Sequence, residues 1–276
     1  MIHILTVHWK DDRFIDIQLR YFQKNINQPY QIYTFLNYLP QDHSEKFFYA
    51  SSEPIKSHAI KLNLLAEMAI FNAVSQDDIL IFIDGDAFPI QPIMPWLYEK
   101  FKNYPLMAVK RFENDQDNHP HPLFCATTVG FWKEIKGDWK AGYYWQNPRG
   151  DLITDVGANL LKNLEDRKIS WYPLLRSNKI NYHPVNLGVY EDLIYHHGSG
   201  FRSSLTRKDL VDMNIFTRIL DKLLMIIPSR KVEKKLASLI STRIKIKRNI
   251  INKNDQISQE IFDKIKQNPE FYREFI

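Results

Sequence analysis

The spacing of apolar residues predicts alternating strands and helices in the first third of the chain. Apolar, β-branched runs at 2–8 and 31–36 have the length and composition of buried β-strands. Between and after them, apolar residues recur at helical spacing over 15–22 and 57–74. The uninterrupted apolar run 79–83 then predicts a central strand that is covered on both faces. This order of elements indicates an α/β fold with a doubly wound, mainly parallel sheet.

Shorter segments extend this pattern towards the end of the chain. We expect strands at 106–109, 123–131 and 193–196, and helices at 95–101 and 155–166. From residue 215 the apolar residues again recur at helical spacing, and Pro228 divides them into two amphipathic helices. The sequence therefore predicts one domain over residues 1–205, with flanking helices, and a helical C-terminal region over residues 206–276.

The cysteine content and the apolar runs of the chain indicate its cellular location. The only cysteine is Cys125, which excludes an internal disulfide framework and an all-cysteine metal site. The first residues show no signal peptide, and the longest apolar run near the C-terminal end, 223–227, is too short to span a bilayer. We therefore expect a cytoplasmic protein.

Positive charge is concentrated in one segment. Residues 202–253 carry 14 Lys and Arg against four Asp and Glu, a balance of +10, although the whole chain has a net charge of only +5. Such a block indicates an anionic partner. Two interpretations stay open: the basic amphipathic helices lie on an anionic membrane at the inner face of the cell membrane, or they pack their apolar stripes on the domain as a cap.

The strongest chemical signal is the segment Asp84-Gly85-Asp86, which directly follows the predicted central strand. We expect Gly85 to adopt backbone angles that let the two carboxylates converge. Carboxylate oxygens favour Mn²⁺ or Mg²⁺, and such an ion binds diphosphates and neutralises their charge. A simple turn after a strand is the structural alternative, but apolar segments on both sides favour a metal site.

This strand-Asp-x-Asp pattern resembles the nucleotide-sugar-dependent glycosyltransferases of GT-A fold. Further segments that are similar to this family follow in order: 57–63, 127–131 with Trp139, 154–159 and 195–202. The resemblance implies a GT-A type domain, a nucleotide-diphosphate sugar donor (a UDP-sugar favoured), and Mn²⁺ or Mg²⁺. It also implies a glycan or lipid-linked glycan acceptor, as in polysaccharide or lipopolysaccharide biosynthesis, with 127–131 and Trp139 on the acceptor side.

The resemblance also implies roles for individual residues. The metal ligands would be Asp84, Asp86 and His197, with His196 as the alternative. Asp155 would be the catalytic carboxylate, with Asp151 as a substitute, although an aspartate at this position is also a suitable helix N-cap. Lys61 and Arg202 would contact the diphosphate. Independently of the resemblance, His8, Asn37 and Asp84 each end a predicted strand at the sheet edge where ligands bind, so Thr6, His8 and Asn37 are placed to hold the nucleoside. The donor site as a whole would comprise Thr6, His8, Asn37, His58, Lys61, Asp84, Gly85, Gly198, Gly200 and Arg202.

Two other classes of function are compatible with parts of the sequence. A phosphohydrolase could use Asp84 as nucleophile and Asp86 as acid, but that class has Thr or Val where Phe88 stands here. A non-enzymatic protein could bind an anionic membrane or nucleic acid through the basic segment. Nucleic acid is disfavoured, because the basic residues alternate with aliphatic rather than aromatic side chains.

Overall fold

A computed structural model describes residues 1–198, 204–206, 209 and 231–276. The strands are β1 (Ile2–Trp9), β2 (Tyr30–Asn37), β3 (Tyr49–Ser51), β4 (Ile79–Asp84), β5 (Ala87–Pro89), β6 (Leu106–Val109), β7 (His121–Thr128), β8 (Trp145–Gln146), β9 (Leu152–Ile153), β10 (Tyr172–Leu174), β11 (Gly188–Tyr190) and β12 (Ile194–His196). The helices are α1 (Ile15–Asn25), α2 (His58–Asn72), α3 (Met94–Phe101), α4 (Val129–Glu134), α5 (Ala158–Asp166) and α6 (Lys231–Gln267), with short 3₁₀ turns at Ser44–Lys46 and Phe271–Glu274.

The central sheet has seven strands in the order β10-β6-β7-β4-β1-β2-β3. All pairings in this sheet are parallel except those of β7, which runs antiparallel to both β4 and β6. The predicted α/β fold with a mainly parallel sheet and flanking helices is therefore confirmed. The strand order places β4 in the middle, so Asp84 ends the central strand.

Side chains of the sheet alternate between two apolar layers. In β4, Ile79, Ile81 and Ile83 belong to the core cluster on one face, whereas Leu80 and Phe82 belong to the cluster on the other face. Alternation of this kind follows from the two-residue period of a strand. It confirms the prediction of a strand covered on both faces.

Helix α2 packs on the sheet with a different face from the one its spacing suggested. The predicted apolar face contained Ile60, Leu64, Met68 and Phe71, but Phe71 is 85% exposed, and Ile60 and Leu64 are also exposed. The buried face contains the apolar residues Ala59, Leu62, Leu65, Ala66 and Ala69. The helix carries two apolar stripes, and the stripe with small alanines packs inward because it allows a closer approach to the strands.

Strand β7 ends earlier than predicted and runs in the opposite direction to its neighbours. The Thr128 hydroxyl accepts a hydrogen bond from the Phe131 backbone N–H and caps α4, so 129–131 are helical. Thr128 pairs with Ile79, at the edge of the sheet opposite Asp84. Trp139 is buried and packs against Phe82. The prediction that 127–131 and Trp139 form the acceptor side of a cleft at Asp84 was therefore wrong.

A second, three-stranded sheet positions the end of the predicted strand 193–196. Strand β12 lies between β11 and β5 and is antiparallel to both. His196 pairs with Ala87, and the His197 backbone N–H donates to the Asp86 carbonyl at 3.0 Å. The histidine pair is thus adjacent to the two aspartates, although it lies about 110 residues further along the chain.

The C-terminal end of the chain packs against α1 and β5. Helix α6 is one continuous helix, whereas the helix that we predicted before Pro228 lies outside the described residues. A third core cluster combines residues of the two regions: Phe14, Ile17, Tyr21, Phe88, Ile261, Phe262, Ile265, Phe271, Tyr272 and Phe275. The apolar residues of 257–276 thus pack on the domain. The placement of the predicted apolar stripes at 216–244 and the boundary near residue 205 stay predictions.

Exposed basic residues lie on the part of α6 whose side chains the structure describes. Lys245, Lys247 and Arg248 are exposed, and no helix in the described ranges combines the length and apolarity needed to cross a membrane.

Candidate active site

A cleft of about 710 Å³ opens at the carboxyl edge of the central sheet. Its walls come from the ends of β1, β4 and β12, from the start of α2 and from the loops that follow β6 and precede α5. Clefts of this volume hold a small organic ligand, and this edge is where doubly wound sheets bind nucleotides.

Asp84, Asp86 and His196 converge at the bottom of this cleft. One donor atom from each side chain lies within 4.8 Å of the other two. The His196 Nε2 is 3.3 Å from Asp86 Oδ1 and 3.8 Å from Asp84 Oδ2. Two carboxylates and one imidazole are a donor set that suits Mn²⁺ and leaves coordination positions for water and phosphate oxygens. These residues therefore fit the divalent ion that the sequence predicted.

His197, the first choice for the third ligand, is engaged elsewhere. Its Nδ1 forms a hydrogen bond of 2.9 Å with the Tyr195 hydroxyl, and its Nε2 forms one of 2.8 Å with Ser258 Oγ of α6. Burial lowers the pKa of His197 to about 4, so its imidazole is neutral at pH 7. The structure thus favours His196, the alternative, as the third metal ligand, because strand alternation directs the two rings to opposite sides.

Removal of the Ser258 hydroxyl should reduce stability without affecting the metal site. The Ser258→Ala variant leaves His197 Nε2 buried without its partner, so we expect the free energy of unfolding to fall by about 1 kcal/mol. Urea unfolding measures this change, and Ser52→Ala, at an exposed serine, serves as the matched control. If Ser258→Ala, but not Ser52→Ala, also lost Mn²⁺ affinity, the conclusion that His197 is not a metal ligand would be contradicted.

Gly85 is required for space rather than for unusual backbone angles. A Cβ atom at this position would lie 2.5 Å from the Val7 carbonyl oxygen and 2.7 Å from His8 Nδ1. The turn between the two aspartates therefore packs directly on the end of β1. The expectation that Gly85 adopts special torsion angles was wrong, since its φ lies outside the left-handed region.

Each of the two aspartates lies beside a histidine. Burial raises the pKa of Asp86, but the nearby charge and hydrogen bond of His196 lower it more, so its pKa lies below the ordinary value. His58 Nε2 lies 3.2 Å from Asp84 Oδ1 and can hold that carboxylate in position. Asp86 is therefore kept in the ionised form that binds a cation.

The residues predicted at the ends of β1 and β2 divide into two groups. His8 lines the cleft, and burial lowers its pKa to about 4. Thr6 is fully buried and donates to Gln18 Oε1 at 3.3 Å, away from the cleft. Asn37 is also buried, and its amide donates to the carbonyls of Ser52 and Glu53. Thr6 and Asn37 thus support the wall of the cleft, while His8 faces its interior.

Asp155 lines the cleft, whereas Asp151 does not. The Asp155 carboxylate is 44% exposed and lies 3.6 Å from Arg111 Nη2. It is not the helix N-cap, because α5 begins at Ala158 after Gly157, whose φ is 101°. Asp151 is more exposed and interacts with Asn147 and Arg149 on the neighbouring hairpin. Of the two predicted carboxylates, Asp155 is therefore the one at the cleft.

The glycine-rich segment after β12 is described only in part. Gly198 lines the cleft with φ at 75°, and a Cβ there would lie 2.8 Å from Asn186 Oδ1. Gly200 and Arg202 lie outside the described residues.

Several cleft residues were missed by the sequence analysis. They come from the loop after β6: Arg111, Asn114 and Asp117. Arg111 Nη2 donates to Asp117 Oδ2 at 3.3 Å, and Asn114 donates to the same oxygen at 2.6 Å. The signal that could have revealed Arg111 is its position two residues beyond the predicted strand 106–109, at the same sheet edge as Asp84.

No protein-family model and no curated protein matches this chain. Among solved structures, the chain is similar to a mannosyltransferase from Pyrobaculum calidifontis in complex with GDP-Man and Mn²⁺ (12% identity, TM-score 0.40, 66% of this chain and 58% of that chain). It is also similar to the catalytic domain of Drosophila beta1,4-galactosyltransferase 7 in complex with xylobiose (12% identity, TM-score 0.39, 71% of this chain and 70% of that chain). A third similar structure is galactosyltransferase LgtC in complex with donor and acceptor sugar analogs (7% identity, TM-score 0.36, 62% of this chain and 73% of that chain). All three are glycosyltransferases.

Proposed function

We propose that this protein is a metal-dependent glycosyltransferase that moves a sugar from a nucleotide-diphosphate donor, preferably a UDP-sugar, to a saccharide or lipid-linked saccharide. The observation that carries the proposal is the convergence of Asp84, Asp86 and His196 in a nucleotide-sized cleft at the carboxyl edge of a doubly wound sheet. Asp84, Asp86 and His196 would hold a Mn²⁺ or Mg²⁺ ion, which would supply positive charge to neutralise the departing diphosphate.

The remaining cleft residues have roles that suit this reaction. Asp155 is the group that takes the proton from the acceptor hydroxyl as its oxygen bonds to the anomeric carbon, or that stabilises positive charge at that carbon. Arg111 lies between Asp117 and Asp155 and holds the Asp155 carboxylate at the cleft wall. His58 keeps Asp84 oriented towards the cation.

A donor screen tests the proposed activity. The purified protein is incubated with UDP-glucose, UDP-galactose or GDP-mannose and Mn²⁺, and release of the nucleoside diphosphate is measured. We expect release from one donor, which a chelator stops and Mn²⁺ restores. Hydrolysis of p-nitrophenyl phosphate without release from any nucleotide sugar would instead support the phosphohydrolase.

The structure offers one argument against the phosphohydrolase. Phe88, at the position where that class has Thr or Val, is fully buried in β5 and packs on Tyr21 and Tyr195. It therefore presents no side chain to the site. A cytoplasmic location, with peripheral attachment to the inner face of the membrane through basic residues, is part of the proposal.

A further inference from the structure

Lys61 is a buried lysine beside the cleft. The residue is 1% exposed, although it borders the cleft. Its Nζ donates to Asn37 Oδ1 at 3.1 Å and lies 4.2 Å from the centre of the Trp9 ring. A buried ammonium is normally paired with a carboxylate, because burial of an unpaired charge is strongly unfavourable.

The described residues supply no such carboxylate. None of them places an acidic oxygen within 4.0 Å of the Lys61 Nζ, and Asn37 accepts only one of the three N–H groups. Asn37 is itself fixed, since its amide donates to the Ser52 and Glu53 carbonyls. The ammonium therefore has donors left for a ligand in the cleft, and Asn37 determines where they point.

The position of this ammonium relative to the metal site indicates which part of the donor it contacts, the diphosphate or the nucleobase. Asp84 ends β4 and Asn37 ends β2, with β1 between them, so the two strand ends are about 10 Å apart. Helix α2 crosses this interval: His58 contacts Asp84, and Lys61, one turn later, contacts Asn37. A diphosphate held through a cation at Asp84, Asp86 and His196 would lie at the Asp84 end, with the ribose extending from it. The nucleobase would then be the part of the donor at the Lys61 end.

We propose that Lys61 recognises the nucleobase of the donor and selects uracil or guanine, which have a carbonyl oxygen at C4 or C6, over cytosine and adenine, which have an amino group there. This inference rests on the proposed transferase function. An ammonium group only donates hydrogen bonds. The O4 of uracil and the O6 of guanine accept such bonds, whereas cytosine and adenine carry a donating amino group at the equivalent position. Lys61 therefore acts on the base and not, as the sequence suggested, on the diphosphate.

Calorimetric titration in the presence of Mn²⁺ tests this role. The wild-type protein and Lys61→Met are titrated with UDP, GDP, CDP, ADP and inorganic pyrophosphate. Methionine retains most of the apolar side chain but has no N–H donor. We expect the wild type to bind UDP or GDP more tightly than CDP and ADP. We expect Lys61→Met to weaken the preferred nucleotide about tenfold and to leave the pyrophosphate affinity unchanged.

The outcomes separate this inference from the proposed function. Wild-type binding with a preference for CDP or ADP, or an equal loss of pyrophosphate affinity in Lys61→Met, would overturn base recognition and leave the transferase proposal intact. No nucleotide binding by the wild type would overturn both. Lys24→Met, at an exposed position of α1, controls for the lost charge. If circular dichroism shows that Lys61→Met is unfolded, Lys61→Gln, which retains N–H donors without charge, should show an intermediate loss.

Discussion

Replacement of Asp86 by asparagine should weaken Mn²⁺ binding at least about 100-fold and abolish metal-dependent nucleotide binding. The amide has the shape of the carboxylate but lacks its charge, and Asp86 is one of only three donor groups in the described cluster. His196, 3.3 Å away, would then face a neutral side chain. Mn²⁺ affinity is measured directly by electron paramagnetic resonance of the free ion.

Asp77→Asn is the matched control for this substitution. Asp77 is exposed and lies two residues before β4, whereas Asp86 lies two residues after it, so the two aspartates are at opposite edges of the sheet. The same chemical change at Asp77 should leave Mn²⁺ affinity unaltered. Retention of wild-type affinity in Asp86→Asn, or an equal loss in both variants, would contradict the assignment of the metal site.

Lys61→Met should stabilise the protein by about 2 kcal/mol at pH 7. Burial lowers the pKa of Lys61 from 10.5 to about 8, which corresponds to about 3 kcal/mol at roughly 1.4 kcal/mol per pKa unit. Removal of the charge abolishes this penalty. Loss of the Asn37 hydrogen bond and of the contact with the Trp9 ring offsets about 1 kcal/mol.

The pH dependence identifies the ammonium as the cause. Between pH 8 and 10.5 the unfolded chain keeps the Lys61 proton while the folded protein releases it. The free energy of unfolding of the wild type therefore rises with pH across that window, because the buried charge is lost. The difference in the free energy of unfolding between the wild type and Lys61→Met, measured by urea unfolding, should therefore be smaller at pH 10 than at pH 7. A difference that is independent of pH would contradict a charged Lys61 in the folded protein at pH 7.

The sequence predicts the central strands closely because their signal is local. Strands β1, β2 and β4 were predicted within two residues at each end, since strands buried on both faces are nearly uninterrupted apolar runs. Other features depend on distant partners. The direction of β7 is determined by its pairing with β4 and β6, and the inward face of α2 by the fit of its alanines on the sheet. No local pattern contains this information.

In the candidate site, too, some features have a local sequence signal and others depend on distant partners. The carboxyl edge of a parallel sheet is predictable, and it indicated His8, Asn37 and Asp84 as neighbours; His8 and Asp84 do line one cleft, whereas Asn37 is buried in its wall. The distinction between His196 and His197 was not predictable. It depends on the pairing of β12 with β5 and on Ser258, a residue 61 positions away on α6.

The most direct test of the central claim is calorimetric titration of the wild-type protein with UDP, GDP and CDP, with and without Mn²⁺. The cluster of Asp84, Asp86 and His196 predicts that at least one nucleotide binds, and that binding requires the ion and disappears in Asp86→Asn. Absence of nucleotide binding under every condition would contradict a nucleotide-sugar transferase.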